Sequence, residues 1–136
     1  MYRNILVGID PAADERGFEA LEVGTRLAED NMAQVTALTV LETIPSYFAN
    51  HLVADAETRA AELTLGRLRE VCGRYSEVVT EVRHGKAADE LLKFAESHKV
   101  DCIVIASHKP GIGDYFLGST AARVVRHAPC SVHVIR

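Results

Sequence analysis

At 136 residues with 48% hydrophobic content, the chain is sized for one domain around a single core, and a two-domain reading is set aside. Lys plus Arg number 15 against 19 Asp plus Glu, and the resulting net charge of -4 excludes a general attraction to nucleic-acid phosphates or anionic lipid. The run Ile5–Ile9 before Asp10 is too short for a signal-peptide core, and no later run approaches membrane-spanning length, so a soluble, cytoplasmic protein is expected.

Apolar runs and helical patterns alternate along the whole chain, the pattern of stacked βαβ units with a parallel sheet. The first strand is expected near 3–9, followed by a helix about 14–30 whose Gly17 and Gly24 suggest close approach to a neighbouring backbone. A second strand near 34–41 runs to an irregular piece, 42–53, in which Pro45 ends the strand; Tyr47 and Phe48 there read either as a cover for a site or as surface packing. The second helix carries the apolar stripe Ala61, Leu65, Leu68, Cys72 and leads to a strand near 77–83. Ala88, Leu91, Leu92 and Ala95 mark the third helix, before a strand near 101–106. After the loop 106–120, the fourth helix shows Ala121, Val124, Val125 and Ala128, and a last strand spans 131–135. The three cysteines, Cys72, Cys102 and Cys130, are scattered without a Cys-x-x-Cys pair, so they read as reduced packing residues rather than disulfides or a zinc site.

Strands one, two and four are nearly continuously apolar, as strands covered on both faces must be, while three and five alternate and read as edges. With right-handed crossovers the order is 3-2-1-4-5, in an open parallel α/β sheet with helices on both faces. The winding direction then reverses between strands one and four, and such sheets bind ligands at the carboxyl ends of that pair. The loops opening there are "GIDPAA" and "ASHKPGIGDYFLGST". The second ends in Gly113-x-x-x-x-Gly118-Ser119-Thr120, a phosphate loop with serine in place of its lysine.

Gly111, Gly113 and Gly118 can take positive φ and turn their amides inward, and the fourth helix opens near Ser119 with unpaired amides and a positive dipole end. The other reading is a turn with Ser119 as an ordinary N-cap. Lys109 can supply a cation to the phosphates or be a solvated lysine. Asp10 can accept from an adenine amino group or a ribose hydroxyl, or be a turn residue before Pro11; Val40 can offer its peptide edge to adenine, or be core alone.

"ILVGID", "HGKAADELLKFA", "DCIVIASHKP" and above all "LGSTAARVVRHAPCSVHVIR" resemble the universal stress protein family along the whole chain, in its short-loop bacterial type with Ser-His-basic-Pro after the fourth strand. The resemblance implies the order 3-2-1-4-5, ATP between the first and fourth strand loops, and homodimers through residues 131–135; from the loop residues themselves, ATP with or without Mg²⁺ is held with no dedicated catalytic residue and at most slow turnover, and tetramers stay open. Carried onto this chain, the nucleotide contacts fall to Ile9, Asp10, Val40, Ala106, Ser107, His108, Lys109, Gly111, Gly113, Gly118, Ser119 and Thr120. The family's pattern is Gly-x-x-Gly, nine residues, then Gly-[Ser/Thr]; here Ala106 and Lys109 replace the first two glycines and only residues 110–117 intervene.

Three functions compete: an ATP-holding sensor or switch of the stress response, a slow ATPase with His108 as its one candidate base in the loop, and a nucleotide-free interaction module in which Lys109-Pro110 fills the site.

Overall fold

The computed structural model describes residues 1–13, 15–42, 50–75, 77–107 and 117–136, with backbone only for 15–17. Strands and helices alternate: β1 (Asn4–Gly8), α1 (Glu15–Asn31), β2 (Gln34–Leu41), α2 (His51–Cys72), β3 (Val78–His84), α3 (Ala87–Ser97), β4 (Cys102–Ala106), α4 (Ser119–His127) and β5 (Ser131–Ile135). The five strands form one parallel sheet in the order β3-β2-β1-β4-β5, as their apolar content requires. No helix among the described residues is long and apolar enough to cross a membrane.

Alternation along each strand divides the core in two. Ile5, Val7 and Ile9 of the first strand segment pack with Ala20 and Leu21 of α1 and Leu68 and Cys72 of α2 on one face. Leu6, Leu38 and Val40 pack with Leu91, Phe94, Ala121 and Val124 of α3 and α4 on the other. Gly24 is the point of closest approach: a Cβ there would run into Val7 Cγ2, so the neighbour it accommodates is a strand side chain and not a backbone.

Three expectations are corrected. The irregular stretch is shorter than 42–53, because Asn50 caps α2 by accepting from Val53 N at 3.0 Å and the helix starts at His51; Pro45, Tyr47 and Phe48 lie outside the described residues. Val125 is not on the apolar face of α4 but 47% exposed, since the helix packs through Ala121 and Val124. Ala128 follows the helix as its C-cap and is half-buried. All three cysteines are free; burial pushes the Cys72 thiol up to about 11 and raises those of Cys102 and Cys130, which leaves them neutral and poorly nucleophilic.

Asp101 ties the start of β1 to that of β4. Its Oδ2 accepts from Asn4 N at 2.8 Å and Arg3 N at 2.6 Å, and these two bonds hold the carboxyl below its ordinary 3.8. A carboxyl depressed in the fold contributes stability above its ordinary value and loses that contribution as pH falls through the lower folded value. Asp101→Asn is therefore expected to be less stable than the unaltered protein at neutral pH and to lose less stability as pH falls below about 4. Urea titrations of both proteins across that range check this; parallel pH profiles would show that the carboxylate does not anchor β1.

Candidate functional site

β1 lies between β2 and β4, and the chain leaves it into α1 on one face, whereas it leaves β4 into α4 on the other. The chain thus changes face between β1 and β4, and open α/β sheets take ligands past the carboxyl ends of such a pair.

On the β1 side, Asp10 builds a tight turn: its Oδ1 accepts from Ala12 N at 2.8 Å and its carbonyl from Ala13 N at 2.9 Å. The turn role and a ligand role are compatible, because Oδ2 has no partner among the described residues and the side chain is exposed. Ile9 is buried, and its amide closes the last bond to β2, donating to Leu38 O at 2.9 Å. Successive peptides of a strand point to opposite sides, so Leu38 and Val40 both face the β1 side while Leu41, accepting from Gly85 N at 2.9 Å, faces β3. The peptide edge of Val40 thus opens just past the end of β1 pairing, while its side chain sits in the α3–α4 core.

Under this turn lies a small, shallow notch open to solvent, lined by Ile9, Asp10, Pro11, Ala13, Phe18, Thr39, Thr64, Arg67 and Leu68. Asp10 is the acid in this lining and Arg67 the base. Among the described residues no three His, Cys, Asp or Glu side chains cluster to hold a metal ion.

The β4 side differs from expectation in its details. Gly118 is the N-cap of α4, with φ -57 rather than a positive value, and no side chain caps the helix. Its amide donates to Ser107 O at 2.6 Å and is therefore unavailable to an anion. Ser119 is not the cap but the first helical residue, and it is exposed. The first helical bond runs from Ala122 N to Gly118 O at 2.8 Å, so the amides of Ser119, Thr120 and Ala121 have no helical acceptor and stand at the positive end of the dipole. Ala106 ends β4 opposite Ile135, and Ser107 is buried with its amide on Ile135 O at 2.8 Å.

Of the residues singled out in the sequence, the notch gathers Ile9 and Asp10, and the crest adds the peptide of Val40. Ala106, Ser107, Gly118, Ser119 and Thr120 belong to the β4 side, while His108, Lys109, Gly111 and Gly113 lie outside the described residues. Thr39, Thr64 and Arg67 were not singled out. Thr39 carried a readable signal, as it alternates onto the face of Val35 and Ala37, but the two α2 residues carried none.

The family profile described as the universal stress protein family matches residues 1–136. A universal stress protein of Methanothermobacter thermautotrophicus is 31% identical over 144 residues, covering 100% of this chain and 97% of the relative. Among solved structures, a universal stress protein in complex with cAMP superposes with a TM-score of 0.75 at 18% identity, covering 99% of this chain and 97% of the other. The universal stress protein of Archaeoglobus fulgidus in complex with dAMP does so with a TM-score of 0.66 at 18% identity, covering 99% and 98%. These two likenesses concern the fold. The profile match over the full 136 residues, together with the Methanothermobacter relative, shows that this chain belongs to the universal stress protein family.

Proposed function

We propose that the chain binds an adenine nucleotide, ATP in the first place, across the crest between β1 and β4, and acts as a sensor or switch in the stress response. The observation that carries this reading is that complementary groups stand past the carboxyl ends of the neighbouring strands β1 and β4. Past the end of β1 the turn presents the open Oδ2 of Asp10, level with the peptide edge of Val40; past β4, α4 presents the amides of Ser119, Thr120 and Ala121. An adenine ring offers both an amino donor and a ring acceptor to the first set. The phosphates find unpaired donors and a favourable dipole in the second. The relatives solved with cAMP and dAMP share an adenine and a phosphate, which supports the same ligand class here. Mg²⁺ would arrive with the phosphates, held through them rather than by a protein cluster. Neutral backbone donors set an affinity near micromolar, about -8 kcal/mol.

β5 ends the sheet as an edge with Ser131 and His133 exposed, and pairing with the β5 of a second copy about a two-fold axis gives a homodimer.

Thermal unfolding with added nucleotide tests the reading. ATP at 100 times its Kd stabilises by about 2.7 kcal/mol, and Asp10→Ala needs several-fold more ATP for the same shift. A melting temperature indifferent to ATP, ADP and AMP would favour the nucleotide-free interaction module.

A further inference from the structure

We infer that Arg67 of α2 is a positioning residue that holds the Asp10 loop in the shape a ligand meets; the inference rests on the adenine nucleotide reading above. The turn made by Asp10 fixes the loop only from within, through Ala12 N and Ala13 N. From outside, Arg67 reaches across from α2: Nη1 donates to Pro11 O at 3.3 Å and Nη2 to Ala13 O at 2.5 Å. Its guanidinium also sits 5.5 Å from the ring centre of Phe18 on α1, so one side chain joins α2, the loop and α1 around the notch.

The geometry calls for arginine. Two carbonyls separated by one residue take two donors of a planar fork, while its central carbon lies over an aromatic ring; a lysine ammonium on its flexible stem does not reproduce this arrangement. Arg67 is itself exposed, so its loss leaves the global fold nearly as stable. What its loss removes is order in the loop before the ligand arrives, which a ligand must then supply from its own binding energy.

Calorimetry with ATP and amide exchange on the full chain, for Arg67→Ala, Arg67→Lys and a control at the exposed Arg59 of the same helix, Arg59→Ala, test this. In both Arg67 variants the exchange of the Ala12 and Ala13 amides rises and ATP affinity falls, each by about tenfold, while Ile103 in the core stays protected and the control is unchanged. Unchanged exchange at Ala12 and Ala13 would overturn the inference. So would raised exchange with undiminished ATP affinity, which leaves Arg67 a structural staple, or full affinity in Arg67→Lys, which makes it a simple cation. If the unaltered protein gives no heat with ATP, the adenine reading fails by itself, and the exchange measurement still decides whether Arg67 holds the loop.

Discussion

Ser119→Asp is expected to bind ATP about 100-fold more weakly than the unaltered protein and to melt no lower. Ser119 is the exposed first residue of α4, and its side chain makes no cap that the substitution would break. A carboxylate there complements the helix dipole and adds about 0.3–1 kcal/mol to stability. The same charge about 4 Å from a phosphate is repelled by roughly 4 kcal/mol at an effective dielectric of 20, which screening reduces to the 100-fold effect. The two readouts therefore move apart: a structural role for this helix end alone would leave nucleotide affinity untouched. Calorimetry and thermal unfolding on one preparation check it, and equal ATP affinity in the two proteins would remove the anion from this helix end.

The second large effect is one of sign. Alanine is a better helix former than glycine by about 1 kcal/mol, yet Gly24→Ala is expected to destabilise the protein by about 1–2 kcal/mol. A Cβ at Gly24 enters the space of Val7 Cγ2 at the contact between α1 and β1, and the buried Val7 has nowhere to move without disturbing the sheet. Gly66 on α2 has nothing within 4 Å of its would-be Cβ, so Gly66→Ala should stabilise by roughly 0.5–1 kcal/mol. Urea unfolding of the two variants side by side distinguishes packing from propensity. Gains of similar size in both would mean that α1 does not press on Val7.

The contrast between these glycines shows where sequence reasoning reaches. Helix periods and strand alternation are enough to order the sheet and locate the crest, because burial on one face or two leaves its mark on every second residue; Val79, apolar yet exposed in β3, blurs that mark. Asp10 was readable for the same reason, as the first polar residue after a buried strand. The start of α2 was missed although Asn50 is a normal capping residue, because it lies in a stretch that reads as loop from Pro45 onward. The reading of Ser119 as an ordinary N-cap does not hold: a serine there fits the usual preference, but Gly118 is the residue that turns into α4. Arg67 was beyond reach. Its partners Pro11 and Ala13 lie 56 and 54 residues away, and nothing local distinguishes it from the other arginines of α2.

The most direct measurement of the central claim, that a nucleotide lies across the crest with its base by β1 and its phosphates on α4, is an amide chemical-shift titration with ATP. The account predicts saturable shifts confined to two groups, Asp10 to Ala13 with Val40, and Ser119 to Ala121, while the amides of α3 and the amino ends of the strands stay in place. Saturable shifts at a different surface, or none in either group at millimolar ATP, would contradict it.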